Sequence, residues 1–228
     1  MIQQTPGRIY LADQRGLTET SRFRRHSTFN FDGYQQEFKE PFGRLRALNE
    51  ETLAGGHRLE LTAETASLVL VLPIIGAVGV AGGSTVATVQ VEEAQLLHLP
   101  AQSVISFTNL YETELISFLH IWLTAADFPA PPQLFSFDFQ ALENNLAVIV
   151  SAAAQAGIAL SLGRFAGRQE AVYSPQNAEA HLFAFVLAGA FEVEGRLLHE
   201  KDGLALWQAA AVELEALSND ALVLVLEF

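Results

Sequence analysis

Few side chains in this 228-residue chain could carry chemistry: six histidines, no cysteine, and 26 carboxylates against 13 basic residues. Without cysteine there is no disulfide, no thiolate metal site and no sulfur nucleophile, and the redox compartment is left open. His57 falls in a glycine-rich turn and is expected in solvent, and His199 sits in a turn; His98, just before Pro100, reads as structural. The acid pairs Glu92–Glu93 and Glu112–Glu114 read as solvated turns. There is no Gly-x-Gly-x-x-Gly, phosphate loop or Gly-x-Ser-x-Gly elbow, and nothing local marks a Ser-His-Asp set. The residue inventory alone names no reaction.

Whatever chemistry exists must be positioned by strands. The run LTAETASLVLVLPIIGAVGVAGGS opens a stretch with nothing ionisable between Glu64 and Glu92. Its length would suit a membrane span. Pro73 in mid-run, then Gly76, Gly79, Gly82 and Gly83, break it into short pieces, so it reads as a buried β-hairpin or sheet corner. The same idiom predicts strands over 44–48, 66–72, 77–80, 85–91, 95–99, 103–108 and 115–123. A proline-rich segment, DFPAPPQLFSFDF, then reads as a linker. A second block predicts strands over 146–151, 158–164, 181–187, 190–193, 196–198, 204–207, 211–214 and 221–228. Both blocks repeat one rhythm of apolar strand, glycine turn and acidic turn, which two copies of one β-barrel unit explain. The expected class is all-β, with domains at 1–125 and 139–228 joined by a linker at 126–138.

The segment HSTFNFDGYQQEFKEPFGRLRALNEETLAGG, from His26 to Gly56, resembles the N-terminal signature of the pirin family. The matching positions are His26, Thr28, Phe29, Phe31, Tyr34, Phe42, Gly43, Leu45, Arg46, Leu48 and Asn49. FLHIWL, Phe118 to Leu123, is similar to the family's strand before its linker, with His120 where the family has Gln. GRLLHEKDGLAL is similar to its closing turn. The resemblance implies a bicupin, two tandem jelly-roll barrels, related to bacterial pirin-like quercetin 2,3-dioxygenases. Such proteins hold one iron-type metal in the N-terminal barrel through three His and one Glu.

Counting back from Gly76 to the family's His-x-His pair reaches Thr62 and Glu64, and the second ligand pair falls on Ser106 and Thr108. Iron, copper or nickel wants imidazole and carboxylate donors, and hydroxyls are weak substitutes. No metal and no cofactor is therefore expected, and no metal-dependent oxygen activation. Thr62, Glu64, Ser106 and Thr108 are expected to point into the barrel, with His120 lining it. Two readings stand: a self-satisfied hydrogen-bond cluster, or a pocket for a small polar ligand. His181 has no histidine partner at 175 or 177 and reads as a lone core or rim residue, and His26 as a fixture of the N-terminal segment.

A formal charge of −13 argues against nucleic acid, and Arg22, Arg24 and Arg25 read as a solvated turn. No apolar leader opens the sequence, so a cytoplasmic protein without a membrane segment is the expectation. The functional expectation is a binding or regulatory module acting on a small polar ligand or a protein partner, with oligomers through sheet edges conceivable. The alternative is an enzyme, either a diverged quercetinase-type dioxygenase using Fe, Cu or Ni, or a metal-independent cupin with Glu64 as general base.

Overall fold

The computed structural model describes residues 5–83, 85–125, 131–151, 157–177 and 179–228. In chain order the first strands are β1 (Gly7–Tyr10), β2 (Gly16–Glu19), β3 (Phe23–Ser27), β4 (Leu45–Leu53), β5 (Arg58–Thr62), β6 (Ser67–Ile75) and β7 (Val78–Gly82). Next come β8 (Thr85–Val89), β9 (Glu93–Leu99), β10 (Val104–Asn109), β11 (Ile116–Thr124), β12 (Gln133–Ser136), β13 (Asn145–Val150) and β14 (Ala159–Phe165). The last are β15 (Glu170–Tyr173), β16 (Leu182–Ala188), β17 (Phe191–Val193), β18 (Arg196–Leu198), β19 (Gly203–Leu206), β20 (Val212–Ala216) and β21 (Ala221–Glu227). Two short 3-10 turns, Ala12–Gln14 and Phe139–Leu142, complete the regular structure of the described residues.

The chain divides into two compact units. In the unit Arg15–Ser136, one sheet has the order β12-β9-β6-β11-β4-β3-β2 and a second the order β5-β10-β7-β8. Their facing sides enclose a core of Val69, Val71, Leu97, Ile105, Phe107, Phe118 and Trp122, among others. The uncharged run supplies β6, β7 and β8, and among the described residues no helix is long and apolar enough to cross a membrane. β6 is buried on both sides over 67–73, and a strand so placed needs no polar alternation. Gly76 makes the turn between β6 and β7 with φ +72°, a conformation that favours glycine.

The other unit joins the residues up to Gln14 with Phe137–Phe228. Its sheets are β1-β19-β16-β21-β14-β13 and β15-β20-β17-β18, around a core that includes Phe165, Phe191, Val193, Leu214 and Val223. The expected boundaries are thereby redrawn. β1 pairs with β19, so the first residues belong with the C-terminal barrel, not with 1–125. Within the expected linker 126–138, Gln133–Ser136 is a strand paired with β9, while 126–130 lie outside the described residues. Pro131 and Pro132 stand immediately before that edge strand, a place where a missing N–H costs no ladder bond.

One clamp in this unit yields a testable expectation. The buried Glu227 carboxylate accepts the Tyr173 hydroxyl at 2.6 Å and the backbone N–H groups of Gln176 and Asn177 at 3.0 and 3.2 Å. Burial first, then the hydrogen bond to Glu227 and the Glu227 charge, push the Tyr173 phenol well above its usual range. Glu227→Gln turns one acceptor into a donor facing donors, and is expected to cost about 1–3 kcal/mol in thermal unfolding.

Candidate functional site

Inside the N-terminal barrel, β4 presents Ala47, Asn49, Glu51 and Leu53 on one face, since Ala47 and Leu53 are both core residues and strand side chains alternate. Arg25 of β3 and Phe118 of β11 flank Glu51 across the ladder, and Ser27 and His120 flank Asn49. Arg25 Nε donates to Glu51 Oε1, and its Nη1 reaches Asp32 Oδ2 at 3.2 Å. His120 Nε2 lies 3.0 Å from the same Glu51 oxygen, and Trp122 Nε1 donates to His120 Nδ1 at 2.6 Å.

The indole fixes the histidine's tautomer. Trp Nε1–H can only donate, so Nδ1 must be the bare nitrogen and Nε2 carries the hydrogen given to Glu51. Burial lowers the imidazole's pKa, Glu51 opposes that fall, and the nearby Arg25 adds to it. Phe31, Phe107 and Phe118 rings stand 5.7, 5.3 and 6.2 Å from the imidazole. The Arg25 guanidinium lies over the Phe31 ring at 5.0 Å, a cation–π contact that partly replaces lost solvation. Glu51 Oε2 and both polar atoms of the Asn49 amide are buried without a hydrogen-bond partner.

A cavity of about 560 Å³ opens beside this network. Its walls include Phe31, Asp32, Arg46, Thr62, Glu64 and Trp122. Trp122 and Asp32 are thus both cavity walls and the two ends of the buried chain through His120, Glu51 and Arg25.

The residues expected at the site are only partly brought together. Thr62 and Glu64 line the cavity, but both are exposed, so Glu64 is not a buried carboxyl. Ser106 and Thr108 face away from the interior. Ile105 and Phe107 are the core residues of β10, and the Ser106 hydroxyl instead reaches the Ala81 carbonyl at 3.4 Å. The expected register is off by one residue, and a one-residue shift turns a whole strand over. His120 is interior, as its strand implied. Arg25, expected in a solvated turn, is fully buried, whereas its neighbour Arg24 is exposed and pairs with Glu19. Of the remaining histidines, the His57 ring meets the Gly55 carbonyl and His181 stacks on Phe228.

The residues present do not fit a divalent metal. On β5 and β10 the inward positions are Leu59, Leu61, Ile105 and Phe107. Both nitrogens of the interior histidine are engaged by Glu51 and Trp122. Among the described residues no three His, Asp or Glu side chains are grouped to hold an ion.

Sequence reasoning missed Arg25, Asn49, Glu51 and Trp122. The available signal was the i, i+2 series Ala47, Asn49, Glu51, Leu53, in which two polar residues share the face of two apolar ones.

Comparison with known proteins supports this architecture. Residues 151–228 match the family model of the quercetinase C-terminal cupin domain. Bacterial pirin YhhW from Escherichia coli, solved in complex with nickel(II), superposes with TM-score 0.82 at 20% identity, covering 98% of this chain and 99% of that one. Quercetin 2,3-dioxygenase from Acinetobacter baumannii gives 0.74 at 16% identity, covering 98% and 86%. Vicilin from Corylus avellana, hazelnut, gives 0.63 at 13%, covering 96% and 84%. No curated protein sequence matches. A fold held in common by these proteins does not choose among functions.

Proposed function

We propose that this pirin-like bicupin is a metal-independent binding module that takes a small polar ligand at the mouth of its N-terminal barrel. The observation that carries the reading is the hydrocarbon lining of β5 and β10 beside a histidine with no nitrogen to spare. A divalent ion entering there would have to break a buried, charge-assisted network before gaining its first ligand. The cavity supports the ligand. Its volume of about 560 Å³ suits a small molecule. Its wall mixes two aromatic rings with hydroxyl, carboxylate and guanidinium groups, enough to orient a polar compound.

The nickel complex of one structural neighbour and the dioxygenase activity named for another make an oxygenase the second reading. The two separate in one experiment. Protein purified without chelator is expected to carry no near-stoichiometric iron, copper or nickel, and to leave flavonols unchanged after metal supplementation. Stoichiometric metal together with flavonol turnover would overturn the binding module. Turnover by metal-free protein, lost in Glu64→Gln, would instead point to the cavity-wall carboxylate as a base.

A further inference from the structure

The cavity wall is tied to an interior group that changes its hydrogen-bonding character with one proton. We propose that His120 is a positioning residue of this cavity: as the Nε2–H tautomer it holds Trp122 in the wall, and a proton on Nδ1 releases it. The proposal rests on the cavity being the ligand site.

The geometry leaves little freedom. Trp122 Nε1 and His120 Nδ1 are 2.6 Å apart, so a proton on Nδ1 sets two N–H groups head to head. The indole must give way, because the imidazole is also held at Nε2 by Glu51. A second arrangement is prepared for the new N–H. Asn49 stands directly opposite His120 in the β4–β11 ladder, and its amide oxygen is a buried acceptor without a partner. The charged groups facing His120 are Glu51 from β4 and Arg25 from β3, with Asp32 beyond Arg25. From β6 and β10 it meets Val71 and Phe107, which do not titrate. Among the described residues Glu51 is thus the anion in contact with the ring, and it favours the protonated form, whereas burial and Arg25 disfavour it. The release therefore belongs on the acid side of a free histidine's range.

Indole N–H resonances of ¹⁵N-tryptophan-labelled protein read this without any ligand. The chain has two tryptophans, Trp122 and Trp207, and Trp207→Phe assigns them. As the pH is lowered from neutrality to below a free histidine's range, the Trp122 signal is expected to leave its strongly hydrogen-bonded downfield position while the backbone spectrum stays folded. Gln at 120 can accept from the indole and donate to Glu51 but does not titrate, so His120→Gln is expected to keep the downfield signal at every pH. His120→Phe, with neither group, is expected to lose it at every pH. A Trp122 signal that holds its position in the wild type until the fold itself is lost would overturn the proposal, as would the same titration in His120→Gln. A screen that finds no ligand would retire the binding reading and leave this titration standing. A flat titration would leave ligand binding untouched.

Discussion

Arg25→Met is expected to cost about 3–5 kcal/mol of stability in urea unfolding followed by tryptophan fluorescence, the loss typical when one partner of a buried ion pair is removed. The guanidinium is fully buried, donates to Glu51, reaches Asp32 and covers the Phe31 ring. Methionine fills much of the volume but leaves the Glu51 carboxylate in an apolar barrel with His120 as its remaining partner. Glu51→Leu is expected to be comparably costly, since it leaves the buried guanidinium with the largely exposed Asp32 as its carboxylate partner. The double variant Arg25→Met, Glu51→Leu removes both charges at once and is expected to cost clearly less than the sum of the two singles. Strict additivity, with each single below about 1 kcal/mol, would mean that the pair is solvated and that the network described here is not formed.

Every strand with partners on both sides except β3 is legible in the sequence, as are the edge strands β8, β13 and β18. β6, β11, β14, β16 and β21 are apolar almost throughout and flanked by partners on both sides. Six strands gave no signal: β1, β2, β3, β5, β12 and β15. All but β3 lie at the edge of a sheet, where half-exposed residues such as those of RLELT and EAVY mix charge with hydrocarbon. Edges are kept polar because an apolar edge invites a foreign strand, so the feature that protects the molecule also hides the strand from a hydropathy reading.

The site was legible to a different extent, for a related reason. His120 and the cavity-lining Thr62 and Glu64 came from motif spacing, which tolerates an error of one residue along a loop. Ser106 and Thr108 required a register, where one residue is the difference between interior and exterior. Arg25 illustrates the limit of reading charge locally. In RFRRHS three arginines look alike, yet the alternation of β3 sends Arg25 inward onto Glu51 and Arg24 outward onto Glu19. Its partner lies 26 residues away on β4, and no local window contains both. The resemblance to a metal-binding family located the barrel correctly, but what fills that barrel follows from which residues alternate inward.

Phe107→Ala is expected to cost about 3–5 kcal/mol and to move the titration of His120 upward at the same time. Phe107 is fully buried, with its ring 4.9 Å from Phe118 and 5.3 Å from the imidazole, so truncation opens a hole against the polar network. A hole beside the imidazole, in a network that also holds a free Glu51 oxygen and the Asn49 amide, is polar enough to admit water, unlike one lined by hydrocarbon. Water relieves the burial that holds the imidazole's pKa down, which is the largest cause of its shift. In the wild type the unfolded chain takes up this proton near about pH 6.5 and the folded chain only at lower pH. The histidine's contribution to stability is therefore complete above about 6.5 and declines as the pH falls to the folded value. In Phe107→Ala that interval narrows, so stability measured across it is expected to fall less steeply with acid than in the wild type, from a lower starting level. Phe107→Leu, which keeps the interior dry, is expected to cost less and to retain the wild-type slope. An unchanged slope in the alanine variant would mean that burial by Phe107 is not what keeps His120 neutral.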